Sequence, residues 1–268
     1  MICRLLRVWV VATLIFCGSA LAQGAADATA AASGAAKASS HKCNFDQPTR
    51  QGSPQAGDAP MNILLVGASG MIGSRVLNEA VSRGHCVIGA SRNPGKIAKH
   101  SNVHAVQLDA TDAKAFSALA AKADAIVTAT SPRGGGDPMV EAKSVGDAAI
   151  AAAKASGKRL IVVGGAGSLN LPSGQPLAET LPAAYRGEAL AMRAVLESLK
   201  KSDIDWTFFS PAAAIAPGKR TGKYQLGTTT LLSDAKGKSS ISAEDYAHAL
   251  VDELEKHAHS RQQMTIAY

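Results

Sequence analysis

From residue 61 onward the chain alternates between two hydrophobic periods. Asn62–Val66 is an unbroken apolar run, the pattern of a parallel strand covered on both faces. Residues 71–82 then place apolar side chains at helical spacing, and Gly84 stops them. Further strands are predicted at 86–90, 103–108, 125–130, 160–163 and 206–209, with helices at 112–121, 138–156 and 184–201 between them. Such alternation specifies right-handed βαβ crossovers. The expected fold is therefore α/β, a doubly wound parallel sheet in a single domain over 61–268. After Pro211 the pattern changes to short strands and turns over 219–241, a helix over 243–255 and a last strand at 264–268. That helix is expected to pack Tyr246, Leu250 and Leu254 on the core.

Residues 1–60 follow a different rule. Arg4 and Arg7 precede an apolar stretch from Val8 to Phe16, and Ala20-Leu21-Ala22 offers a small-x-small cleavage site. Residues 1–22 are thus read as a secretory signal, too short in its apolar part to span a membrane. No membrane span is expected in the mature chain. Residues 23–60 are rich in Ala, Gly, Ser and Gln with almost no large apolar side chains, so they are read as a flexible tether. Of the two cysteines left after cleavage, Cys43 falls in this tether. Cys86 lies in an apolar strand, where a small buried hydrophobe is expected; no disulfide framework is read. Localisation is expected to be periplasmic or secreted, or cytoplasmic if translation starts at Met61.

Charge narrows the partners. The whole chain is +7; without the leader's two arginines about +5 remains on the domain, with no long basic run. Aromatic residues make up only 4%, which argues against a stacking surface for nucleic acid. A small anionic ligand, or solubility alone, fits the spread charge better. The histidines show no metal-ligand spacing, and no metal is expected.

The turn after the first strand reads Gly67-Ala68-Ser69-Gly70-Met71-Ile72-Gly73, a GxxGxxG between a strand and a helix. Glycine lets backbone approach a pyrophosphate, and the helix N-terminus offers unpaired N–H groups to it. In this context the motif marks a dinucleotide-binding Rossmann domain. Gly67, Ser69, Gly70, Met71, Ile72 and Gly73 are its candidate phosphate-side residues. The second strand ends in Ser91-Arg92-Asn93, with Lys96 nearby and no acid for the ribose hydroxyls. Arg92 suits a 2′-phosphate, so NADP(H) is favoured over NAD(H), against the alternative of a solvated surface arginine. Asp109 has two readings, an acceptor for adenine or a helix cap near Asp112. Thr128, Ala129 and Thr130 end the fourth strand at the nicotinamide side. The glycines at 134–136 that follow read either as a mobile loop or as a plain connection. Gly164, Gly165 and Pro211 are expected to reach the same crevice from the fifth and sixth strands.

With these residues in place, the chain resembles the atypical short-chain dehydrogenase/reductases, and within them the NAD(P)H-binding, NmrA-like family and its bacterial NADH-flavin reductases. The resemblance covers residues 61–268. It rests on GASGMIGSRVLNEAVSRGH at 67–85, SRNPGKI at 91–97, YRGEALA at 185–191, DWTFFSPAA at 205–213, RTGKYQLG at 220–227 and ISAEDYAHAL at 241–250. It implies an NAD(P)H-dependent oxidoreductase that reduces flavin or a similar conjugated small-molecule acceptor. The dehydrogenase signature Tyr-x-x-x-Lys is missing, because Tyr185 is followed four residues later by Ala189. No lysine there can lower the tyrosine's pKa, which counts against alcohol oxidation or epimerisation. Tyr185 and Ser168 are the candidate acceptor-side residues, set against a helix-start surface position and a turn position. The leading expectation is an NADPH-dependent reductase of flavin, quinone or a related acceptor by direct hydride transfer. The alternative is a non-catalytic NADP(H)-binding sensor or scaffold. An exported chain meets little free NADPH, so export would require tight retention of the cofactor or another ligand.

Overall fold

A computed structural model of the protein describes residues 43–49 and 60–268. The leader expected at 1–22, and the tether apart from residues 43–49 and 60, lie outside the described residues.

The strands are β1 (Asn62–Val66), β2 (Cys86–Ser91), β3 (Val103–Gln107), β4 (Ala125–Thr128), β5 (Arg159–Val163), β6 (Trp206–Ser210), β7 (Ala214–Ala216), β8 (Gln225–Gly227), β9 (Ser240–Ser242) and β10 (Gln262–Ala267). Helices α1 (Met71–Ser82), α2 (Ala113–Ala120), α3 (Pro138–Ser156), α4 (Leu177–Thr180), α5 (Ala183–Lys201) and α6 (Ala243–Lys256) connect them. The main sheet has the order β3-β2-β1-β4-β5-β6-β10-β8, parallel except for β8 against β10. β7 and β9 form a small separate parallel pair. Chain order reverses between β1 and β4, and an open α/β sheet presents its ligand crevice at such a switch point.

The central strands are buried except at half-buried Asn62, as their apolar runs require. One face of the sheet packs against α1 and α6, where Phe209 and Tyr246 stack at 4.4 Å and the Tyr246 hydroxyl donates to the Phe209 carbonyl. Leu250 and Leu254 are buried there too, as the helical spacing predicts. The other face is covered by α2, α3 and α5. Helix starts follow local chemistry: Asp112 caps α2, Asp137 caps α3 just before Pro138, and Ser242 caps α6. Gly157 in the left-handed conformation ends α3.

A buried charge cluster was not foreseen. Arg159, at the start of β5, pairs with Glu253 of α6, and both are almost fully buried. Glu253 also accepts from His259, which helps hold its carboxyl below the usual range against the cost of burial.

The expectation for Cys43 and Cys86 is corrected. Cys43 is bonded to Cys86 at the start of β2, with 5.6 Å between the Cα atoms. The neighbouring residues hold the same position. The Asn62 side chain donates to the Asn44 carbonyl, Phe45 stacks on His104, and Thr49 donates to the Ala121 and Ala123 carbonyls. Residues 43–49 are therefore a strap on the domain and not a free tether.

Candidate functional site

The β1–α1 turn shows why glycine is needed. Gly67 has φ +87°, and a Cβ there would lie 2.4 Å from the Ala129 carbonyl oxygen. A Cβ on Gly73 would lie 2.1 Å from the Gly67 carbonyl oxygen, so only glycine lets α1 sit this close to β1. Among the described residues no side chain caps α1, whose N-cap position is Gly70. Its first amides thus face the crevice as an uncapped, partly positive end, the chemistry a pyrophosphate fits.

A cavity of about 610 Å³ opens at this point, along the C-terminal ends of β1 to β5. Gly67, Ser69, Gly70, Arg92, Asp109, Thr128, Ala129 and Thr130 all line it, which brings eight candidates to one site. Met71, Ile72 and Gly73, in the first turn of α1, are not on its wall. Gly164, Gly165 and Pro211 also stand off the cavity wall, where β5 is represented by Leu160, Val162 and Val163.

The polar end of the cavity holds Arg92, Asn93 and Lys96. Asp109 accepts from the Thr111 amide and hydroxyl, and these bonds, with Arg92 adding a smaller effect, hold its carboxyl below the ordinary aspartate value. Its cap is therefore on the 109–111 turn, while Asp112 caps the helix. Lys96 was legible as a cation near Arg92, but its place on the wall was not.

The glycine loop is tied down at two points. The Gly134 and Gly136 amides donate to the two oxygens of Glu141, at 2.9 and 2.7 Å. Arg133 reaches across to Glu188 of α5 through two hydrogen bonds of 2.8 and 3.0 Å. Glu141, seven residues beyond Gly134 and inside the first turn of α3, had no sequence signal other than acidity at a helix start.

Residues 67–257 match the family described as NAD(P)H-binding. The chain is a member of the NAD(P)H-binding family. The uncharacterised protein YwnB of Bacillus subtilis is 39% identical over 218 residues, 77% of this chain and 98% of that one. A crystal structure from Burkholderia pseudomallei, provisionally named an exported protein, is 44% identical and covers 78% of this chain and all of its own, with TM-score 0.70. A Streptococcus pneumoniae protein provisionally named an NADH-flavin reductase is 29% identical over 77% of this chain and 99% of its own, with TM-score 0.67.

In this NAD(P)H-binding protein the two acceptor-side candidates are not brought to the cavity. Tyr185 is 63% exposed in the first turn of α5 and is not part of the cavity wall. Ser168 is turned inward, where its hydroxyl bonds the Ser210 hydroxyl and the Gln263 amide. Ala189, at the position a dehydrogenase gives to lysine, is buried against Gly167; a Cβ on Gly167 would lie 2.3 Å from the Ala189 Cβ. Among the described residues there is no metal-ligating cluster and no helix long and apolar enough to cross a membrane.

Proposed function

We propose that the protein is an NADPH-dependent reductase of a flavin, quinone or related conjugated acceptor. The observation that carries this reading is the cavity itself, which joins a glycine turn and an uncapped helix end to Arg92 and Lys96, with no tyrosine, histidine or cysteine on its wall among the described residues. Bound NADPH would supply a hydride. The α1 amides would hold its pyrophosphate, and Arg92 with Lys96 its 2′-phosphate. The ends of β4 and β5 would form the wall beside the reacting ring. Glu141 is engaged by two backbone amides, so it serves the loop as an acceptor. A conjugated acceptor that takes its proton from water suits such a site, because positioning alone promotes hydride transfer.

The test is NADPH and NADH oxidation with a panel of flavins and quinones. Arg92→Ala is expected to weaken NADPH binding roughly tenfold to a hundredfold, as loss of a charged hydrogen bond of about 1.5–3 kcal/mol requires, and to leave NADH nearly unchanged. Equal losses for both cofactors would remove the phosphate from Arg92. Tyr185→Phe is expected to change single-turnover NADPH oxidation by less than about threefold, whereas a general acid would contribute about 10²–10⁴-fold. Tight NADPH binding without turnover of any acceptor would instead assign the protein to the sensor class.

Export is the localisation this reading adopts. A structural disulfide persists in oxidising compartments, and the Cys43–Cys86 bond joins the strap to the domain. The leader pattern and the relative named as an exported protein point the same way. A chain started at Met61 would lack Cys43. Osmotic-shock fractionation, followed by mass determination of the released chain, distinguishes the two starts.

A further inference from the structure

Among the described residues five charged side chains line the cavity: Arg92, Lys96, Asp109, Arg133 and Glu141. Four of them have a use already. Arg92 and Lys96 go to the 2′-phosphate on the proposed reading. Asp109 accepts from Thr111, and Glu141 gives its two oxygens to the Gly134 and Gly136 amides. Sheet order sets Arg133 apart from the other two cations. Arg92 follows β2 and Lys96 lies in the turn after it, whereas Arg133 follows β4; these strands flank β1 on opposite sides. Neighbouring strands are about 4.8 Å apart, so roughly 10 Å separates β2 from β4. The reading adopted above puts the ends of β4 and β5 beside the reacting ring. Arg133 therefore leaves the sheet on the acceptor's side of the switch point, and Arg92 and Lys96 leave it on the adenosine side.

Both the backbone and the head of Arg133 are held. Its amide donates to the Ser131 carbonyl at 2.9 Å, and the glycines after it are tied to Glu141. Its guanidinium meets Glu188 side-on, Nε donating at 2.8 Å and Nη2 at 3.0 Å. Nη1 has no such partner among the described residues, and the side chain is 72% exposed in spite of the pair. An exposed ion pair adds little stability. What this one supplies is direction. A guanidinium is a rigid planar fork of five donors, so fixing one edge on Glu188 aims the other. An anion reaching that edge meets donors already in place and saves the cost of ordering a long side chain.

We propose that Arg133 binds an anionic substituent of the hydride acceptor, a phosphate, sulfonate or carboxylate, and so selects acidic conjugated acceptors over neutral ones. The inference rests on the reductase reading, because that reading places the acceptor at the ends of β4 and β5. The anion lies on Nη1 and the remaining N–H of Nη2, in the two-point geometry that suits an oxyanion. Glu188 is the positioning residue that keeps this edge turned outward. Arg133 moves no proton; it binds the acceptor, and the chemistry remains at the ring.

Two matched pairs of acceptors test it. FMN and riboflavin share one ring and differ by a phosphate on the side chain; naphthoquinone sulfonate and naphthoquinone differ by an acid on the ring itself. Equilibrium binding of all four to NADP⁺-loaded wild type, Arg133→Gln and Lys143→Gln is measured beside NADPH turnover. Lys143→Gln removes a positive charge from an exposed position off the cavity wall and controls for net charge. Wild type and Lys143→Gln are expected to bind the anionic member of at least one pair about tenfold more tightly, as one charged hydrogen bond implies. Arg133→Gln should remove that preference and change NADP⁺ binding by less than about twofold, since an exposed charge off the cofactor adds little. The pair that shows the preference tells a side-chain phosphate from an acid on the ring. A preference that Arg133→Gln removes, without turnover of any acceptor, would keep the anion site and overturn the reductase reading. No preference in either pair, or one that survives Arg133→Gln, would overturn the assignment. So would equal weakening of both members of each pair, which would leave Arg133 a tie between the loop and α5. A loss of NADP⁺ binding in Arg133→Gln as large as the loss of acceptor would give the residue to the cofactor instead.

Discussion

Removing the Cys43–Cys86 bridge by Cys43→Ser is expected to destabilise the domain by about 4 kcal/mol. The bond closes a sequence separation of 43 residues, and the loop-closure entropy it removes from the unfolded chain gives that figure. The strap adds little once the bond is gone, because residues 43–49 are short and mostly polar and must be ordered at an entropic cost. Urea unfolding of wild type, of wild type with a reductant, and of Cys43→Ser measures the effect. The midpoint should fall, and the denaturant slope should rise as the unfolded chain expands. NADPH binding should change by less than about twofold under native conditions, because Cys86 opens β2 and Arg92 follows its far end. A loss of stability under about 1 kcal/mol would show that the unfolded chain is already compact around this segment.

Gly67→Ala should abolish measurable cofactor binding and cost about 2–5 kcal/mol in stability. Two penalties combine. An L residue at φ +87° sits in a region disfavoured by about 1–2 kcal/mol. The added methyl also meets the Ala129 carbonyl oxygen at 2.4 Å, and relieving that overlap by moving backbone costs about 1–3 kcal/mol more. Either β4 shifts away from β1 or the turn opens, and both displace the α1 amides from a phosphate. Calorimetric titration with NADPH and thermal unfolding read the two effects separately. Full-strength binding in a folded Gly67→Ala protein would remove the turn from the cofactor site.

The layout of the sheet could be read largely from the chain. The strands expected at 62–66, 125–130, 160–163 and 206–209 and the helices between them follow from apolar runs and helical periodicity, because burial on both faces forces those patterns, although the fourth strand ends at Thr128. The glycine turn was legible for the same kind of reason, since few other demands place three glycines between a strand and a helix. Other features left no such trace. Nothing local tells Cys43 that its partner lies in β2, because Asn44 to Thr49 have the composition of a solvated segment and their partners are far away in sequence. Ser168 looked available as a turn residue, yet Ser210 and Gln263 lie far from it in sequence and draw it inward. Arg159 has no partner nearby in sequence; Glu253 comes to it from α6, 94 residues on.

The contact of Ala189 with Gly167 also limits what this scaffold can become. Alcohol oxidation would need a lysine four residues after Tyr185, and the codon change alone would not provide it. A long cationic side chain at 189 would emerge into a space already filled by backbone, in a position that is 7% exposed. The α5 helix would have to lift from the 166–168 turn first, and Tyr185 would have to rotate in from solvent. Evolution from this chain toward a proton-transferring dehydrogenase therefore crosses intermediates that are less stable before any of them gains the new chemistry. On the proposed reading, the packing of one alanine on one glycine keeps this chain to acceptors that need only a hydride.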